Sequence, residues 1–376
     1  MQKHVPLSKT DLTDEEINNV LEVLNSGWLA PGKFNKLFEE AFADFLGKKY
    51  ALSMNSCASA LEIAIKVHDI KGEVIVPSFT WVASVNAIVN HGATPVFCDI
   101  DPETRNTNAK FIEPLINSKT EAIMVVHIGG QPCPMGEIVE LAKKHNLLLI
   151  EDSAETLGAE IDGKQSGSFG IGCFSFFPTK NITTGEGGMF TCDDEEIFNK
   201  AKSLIGHGVR STTFERSNKV AWFREAVYAG HNFRMSNIHA AIGFAQFNRL
   251  QEMNRNRKKA ANKYNKLITD TQLPIKIPKV IQNAEHVYQM YTVVVNQNNR
   301  DQIVKDLNKL GVEASVHFDP PVHKQEYYKN FEIRQSLENT EFLSNSIVTL
   351  PMYAKITDDE IEYVVDSLEK VLSNLI

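Results

Sequence analysis

Lys180 stands where an aromatic, strand-like run meets a loop of threonines and glycines. The stretch reads Phe174-Ser175-Phe176-Phe177-Pro178-Thr179-Lys180-Asn181-Ile182-Thr183-Thr184-Gly185-Glu186-Gly187-Gly188-Met189. Its short side chains leave the ammonium room beside a bulky planar ligand. Asp152 closes the apolar run Leu147-Leu148-Leu149-Ile150-Glu151-Asp152, where a strand should stop. An amine that forms an imine and a carboxylate that pairs with a pyridinium are the two protein groups that pyridoxal 5′-phosphate (PLP) requires. Taken singly, a surface lysine and a helix-capping aspartate are the simpler readings, so the surrounding elements must decide.

From Tyr50 the chain alternates short apolar strands with helices. Residues 50–54, 73–76, 95–99, 122–127 and 147–152 are strand-like, and 58–67, 80–90, 109–116 and 135–145 are helix-like. This alternation implies an α/β fold with a large, mostly parallel sheet flanked by helices. Ligands of such sheets bind beyond the carboxyl ends of the strands. Met54-Asn55-Ser56, Pro77-Ser78, His127 and Asp152 all fall there. Upstream, residues 13–24 form a helix with a Thr13/Glu16 capping box, an apolar face of Ile17, Val20, Leu21 and Leu24, and Gly27 as its stop. Residues 236–266 read as one long helix. Beyond it the pattern predicts a smaller α/β unit, with strands at 291–295, 312–318 and 347–350 and a last helix opened by Thr357 and Glu360. The expected division is a large domain of residues 1–255 and a small C-terminal domain of 256–376.

The bulk properties narrow the class. A chain of 376 residues favours two domains. Its 43 % apolar and 23 % charged content is ordinary for a soluble globular protein. A net charge of −8 argues against nucleic-acid and anionic-membrane partners, and the cluster Arg255, Arg257, Lys258, Lys259 reads as a solvated helix face. No apolar run approaches the roughly 18–20 residues that span a bilayer. The first six residues carry no signal-peptide core, so a cytoplasmic location is expected. Cys57, Cys98, Cys133, Cys173 and Cys192 lack metal-ligand spacing and read as reduced thiols, and no histidine pattern suggests a metal site.

PLP makes four demands, and the sequence has a candidate for each. Its phosphate needs donors at a helix start, which Asn55-Ser56-Cys57-Ala58-Ser59-Ala60 can supply, with Ser175 as a further hydroxyl. Its ring needs a flat face, and Trp81 in Pro77-Ser78-Phe79-Thr80-Trp81 offers one. Its ring nitrogen needs a buried carboxylate to stay protonated, and Asp152 is placed for that, whereas Glu151 points to the other side of the strand. Finally, a buried lysine whose amine is neutral part of the time serves as nucleophile and proton shuttle. Lys180 alone among the lysines has such surroundings.

With these motifs the sequence resembles the DegT/DnrJ/EryC1/StrS family of PLP-dependent nucleotide-sugar aminotransferases, which have the aspartate aminotransferase-like fold type I. The matching stretches are Gly27-Trp28-Leu29, Pro77 to Trp81, Ala93-Thr94-Pro95-Val96-Phe97, Glu151-Asp152, Gly167-Ser168-Phe169-Gly170, Phe174 to Met189 and Asn232-Phe233-Arg234-Met235-Ser236. The resemblance implies that Lys180 makes the imine, Asp152 pairs with the pyridine nitrogen and Trp81 stacks on the ring. It also implies that Cys57, Ala58 and Ser175 hold the phosphate, and that Asn232 reaches the cofactor of a neighbouring subunit in a homodimer with shared sites. Trp28, Arg234, His317 and His323 are implied on the substrate side. L-glutamate, with 2-oxoglutarate as its product, and a nucleotide-linked ketosugar are the implied substrates. Several positions depart from the family pattern. Cys57-Ala58 replaces Gly-Thr in the phosphate turn, and Glu155 stands where a glutamine commonly meets the cofactor's phenolic oxygen. His231 and Phe233 replace tyrosines, and Ile128-Gly129 follows His127 in place of Leu-Tyr. Two other readings share this resemblance. A sugar dehydratase would carry histidine in place of Lys180. A cofactor-binding regulator without turnover would have no need of Lys180 and Asp152 together.

Overall fold

A computed structural model describes residues 3–209 and 225–375. The chain lays down β1 (Tyr50–Met54), β2 (Glu73–Pro77), β3 (Thr94–Cys98), β4 (Thr120–Val126), β5 (Leu148–Asp152), the short β6 (Glu160–Ile161) and β7 (Lys164–Gln165), then β8 (Ile171–Ser175) and β9 (Gly188–Cys192). Seven of them form one sheet in the order β1-β9-β8-β5-β4-β2-β3. β3, β2, β4, β5 and β8 pair parallel, while β9 runs antiparallel between β8 and β1. Helices cover both faces, so the strands read as continuous apolar runs, and β2 and β9 are buried along their whole length. Because β9 returns against β8, the loop carrying Lys180 is a hairpin connection emerging at the carboxyl end of β8.

After β10 (Ala284–Glu285), which edges β6, a second apolar core gathers around the antiparallel pair β11 (Tyr291–Val294) and β12 (Ile347–Leu350). Tyr264, Tyr291, Val293, Leu307, Val348, Leu350, Val364 and Leu368 belong to it, and so does Val5 from the other end of the chain. Met352 N donates to Leu7 O and Glu313 N to Val5 O, which ties the first residues to this core.

Four elements differ from the pattern-based expectation, each for a tertiary reason. Residues 236–266 are two helices, Asn237–Asn248 and Leu250–Asp270, broken at Arg249. Its guanidinium is held by Asp11 at 2.5 Å and Glu16 at 3.2 Å. The same contacts rotate the helix Asp14–Ser26. Glu16 is buried against Gln246 and Arg249, while Ile17, Leu21 and Leu24 are 54 %, 49 % and 49 % exposed. Residues 312–318 make isolated bridges only, to Val5 and Thr349, because the N-terminal segment crosses there. The helix expected at 109–116 tightens after Ile112 into a 3₁₀ turn, Glu113–Leu115, where Pro114 has no N–H to donate. Among the described residues no helix is long and apolar enough to cross a membrane.

Candidate active site

The carboxyl ends of β1, β2, β4, β5 and β8 face one cavity of about 420 Å³, a volume suited to a cofactor and part of a substrate. Lys180, Asp152, Glu155, Ser175, Cys57, Ala58 and Trp81 all line it, as does His317 from the C-terminal part of the chain. The topology brings these residues together across more than two hundred positions of chain.

The Lys180 loop is rigid because its short polar residues bond within it. Thr183 Oγ1 donates to Phe176 O at 2.9 Å, Gly185 N donates back to Thr183 Oγ1 at 2.9 Å, and Thr184 Oγ1 donates to Glu186 O at 2.7 Å. Gln289 Nε2 clamps the turn from the second core by donating to Thr179 O at 3.0 Å. Gly188 is required for packing, since a Cβ there would lie 2.4 Å from Ser56 C and 2.5 Å from Cys57 N. The start of β9 therefore lies directly against the start of the helix Cys57–Val67. Ser56 caps that helix by accepting from Ser59 N. The Cys57 and Ala58 N–H groups, in its first turn, have no intrahelical acceptor and suit a phosphate.

Asp152 is 5 % exposed. Its Oδ2 accepts from Ser84 Oγ at 2.7 Å, and its Oδ1 accepts from Ala154 N at 3.1 Å and Cys57 Sγ at 3.9 Å. Burial pushes this carboxyl above the ordinary range, and the hydrogen bonds from Ser84 and Ala154 oppose the rise. A cationic ring nitrogen beside it would relieve that cost. Glu151, on the other face, accepts from Gly167, Phe169 and Gly170 N–H groups at 2.7–2.8 Å. His127 Nδ1 accepts from Cys133 N, so its Nε2–H donates to Glu151 at 3.2 Å, and this rim histidine braces the sheet from outside the cavity.

Other expected site residues lie away from the cavity of this chain. Asn232 is exposed, and its Oδ1 accepts from Arg234 Nε at 3.0 Å and Nη2 at 2.8 Å. Trp28 donates from Nε1 to Pro31 O at 3.2 Å. His323 is buried, with Nδ1 at 2.7 Å from Ser78 Oγ and Nε2 at 3.2 Å from Glu341, so the structure uses it to fasten the end of β2 to the C-terminal part. Ser84, which holds Asp152, escaped the sequence reading. Its place three residues after Trp81, in the first turn of the helix Val82–Val89, was the available signal. Leu7, Ser8, Gln289, Thr349 and Met352 also line the cavity, and no local pattern marked them.

This donor set fits PLP: an amine and a buried carboxyl on one cavity, N–H groups at a helix start, and the Trp81 face, 64 % exposed, at the opening. The DegT/DnrJ/EryC1/StrS aminotransferase family model matches residues 10–369. The chain belongs to this family. It is a PLP-dependent sugar aminotransferase of fold type I. It is 40 % identical to GDP-perosamine synthase of Caulobacter vibrioides, covering 96 % of each chain. It is 34 % identical to the spore coat polysaccharide biosynthesis protein SpsC of Bacillus subtilis, over 98 % of this chain and 97 % of that one. Among solved structures, Spr1654 of Streptococcus pneumoniae in its PMP-form superimposes with a TM-score of 0.93 at 27 % identity, covering 99 % of this chain and all of the other.

Proposed function

We propose that this aminotransferase moves the amino group of L-glutamate to the ketone of a nucleotide-linked deoxysugar, a 4-keto-6-deoxyhexose or a 3-keto sugar. The product would serve surface polysaccharide, glycan or antibiotic-sugar synthesis in the cytoplasm. One observation carries the chemistry: Lys180 Nζ and the Asp152 carboxyl line the same cavity, each held by its own hydrogen bonds. Likeness to GDP-perosamine synthase supports the sugar.

When bound, PLP supplies an electron sink for the carbon that gains or loses the amino group. The chain's own residues do the rest. Lys180, whose Nζ lines the cavity, would hold the cofactor and move the proton at its own nitrogen. Asp152, fixed by Ser84 and Ala154, would keep the ring nitrogen charged. Trp81 would cover the ring, and the helix start at Cys57 and Ala58, with Ser175, would hold the phosphate. His317, whose Nδ1 lies 2.9 Å from Thr349 Oγ1, borders the substrate side, and burial lowers its basicity so that it is neutral near pH 7. Lys180 argues against the dehydratase reading. Lys180 and Asp152 on one cavity argue against a binding protein without turnover.

In the same proposal residues 1–255 form the cofactor domain and 256–376 the smaller domain, supported by the separate second core. The active unit is a homodimer in which Asn232, exposed and oriented by Arg234, reaches the neighbouring subunit's cofactor. Trp28 and Arg234 then border that neighbour's substrate.

Two measurements test these points. Incubation with glutamate and a panel of UDP-, dTDP-, GDP- and CDP-linked ketosugars, read by mass spectrometry, should yield one aminated product. Conversion of none would remove the sugar assignment. Mixing inactive Lys180→Ala subunits with inactive Asn232→Ala subunits should restore part of the activity, because a hybrid holds one intact site. A mixture as inactive as its parents would rule out the shared site.

A further inference from the structure

We propose that Glu155 is the counter-charge of the Lys180 nitrogen once that nitrogen carries the cofactor's aldehyde carbon. This rests on the reading of Lys180 as the cofactor's anchor. Glu155 Oε1 accepts from Lys180 Nζ at 3.1 Å, and Oε2 accepts from Gly129 N at 2.8 Å. Glu155 is 7 % exposed, so little water screens the pair. No other ion pair to Lys180 forms among the described residues.

The anchor of this carboxylate is itself fixed. Gly129 adopts φ +68, a left-handed conformation that glycine tolerates without strain. Met290 N donates to Gly129 O and Val287 N to Gly130 O, binding the turn to the chain that leads into the second core. Swinging Glu155 away would leave the Gly129 N–H without its buried acceptor. The other groups facing the pair do not supply the charge. Asp152, from β5, already accepts from Ser84 and Ala154, and its carboxyl is pushed upward by burial. His317, from the C-terminal part of the chain, has its basicity lowered by burial. Cys57, from the helix start, is buried and its thiol is pushed well above the usual range, so it stays neutral. Glu186 lines the same cavity without an ion pair to Lys180.

A neutral amide at position 155 would accept the same hydrogen bond, so the carboxylate adds charge. Condensation joins R–NH₂ and O=CH–R′ as R–N=CH–R′ and releases water. One further proton on that nitrogen makes a cation, and Glu155 is the anion beside it. An opposite charge at this range favours the charged form by about 1–3 pH units.

The experiment loads full-length wild type and Glu155→Gln with PLP and follows the visible band between its protonated and unprotonated forms across pH. The midpoint should fall by about 1–3 pH units in Glu155→Gln. A midpoint that stays or rises overturns the proposal. Should that variant not fold, Glu155→Asp reads the same quantity. Its carboxylate sits one methylene further back, so a smaller fall is expected and an unmoved midpoint refutes the pairing. Borohydride reduction and peptide mapping separate the two levels of failure. An adduct on Lys180 with an unmoved midpoint removes this inference alone. Absence of any adduct on wild-type Lys180 removes the cofactor reading as well.

Discussion

Lys180→Ala is expected to lower amino transfer by roughly 10⁴-fold or more, because in the proposed function one side chain serves as both the covalent anchor and the proton carrier. The substitution removes the only charge partner that Glu155 has among the described residues, and that carboxyl is buried. The cofactor-free variant should therefore melt lower than wild type, by the equivalent of about 1–3 kcal/mol for an unpaired buried polar group. Lys180→Ala combined with Glu155→Gln should recover most of that stability and none of the activity. Steady-state assays with glutamate and thermal melts of the three proteins check both halves. Turnover persisting in Lys180→Ala would refute the mechanism, and a double variant as unstable as the single one would show that the ion pair is not what stabilises the loop.

Asp152→Asn separates function from stability in the opposite sense. Activity should fall by about 10²–10⁴-fold, since an amide does not hold the ring nitrogen protonated. The cofactor-free protein should not suffer. Burial raises the Asp152 carboxyl above its unfolded value. A carboxyl shifted upward contributes stability at pH values below its unfolded range, near 3.8, and loses it as pH rises through the folded value. Wild type therefore loses stability as this carboxyl ionises, whereas an asparagine has nothing to titrate. Cofactor-free Asp152→Asn should thus melt at or above wild type near pH 7, and PLP should raise its melting temperature less than it raises that of wild type. Melts at pH 5 and pH 7.5, with and without PLP, read this directly. An unchanged rate would remove Asp152 from the chemistry, and a large loss of cofactor-free stability would make it a structural residue.

Several features could be read from order along the chain alone. Alternating apolar strands and helices specified a mostly parallel sheet, and the rule that ligands meet its carboxyl ends placed Asp152, Cys57 and Trp81 around one site. The threonines and glycines about Lys180 encode a loop that closes on itself, and local hydrogen bonds of that kind need no distant partner. Glu151 and Asp152 were assigned to opposite faces from strand alternation, and the structure agrees, with Glu151 bonded beneath the sheet.

What the linear pattern left open depends on groups far apart in sequence meeting in space. The long helix breaks at Arg249 because Asp11 and Glu16, more than two hundred residues earlier, bind its guanidinium. The same buried carboxylate turns Ile17, Leu21 and Leu24 outward against their own periodicity. Ser84 became the support of Asp152, and His323 a fastening of β2, once the sheet set their distances. Residue type and spacing therefore determined which groups can do the chemistry, since reactivity is a property of the side chain and its near neighbours. Tertiary structure decided which of them face each other and which charge each one feels, because burial and pairing arise only when the layers close.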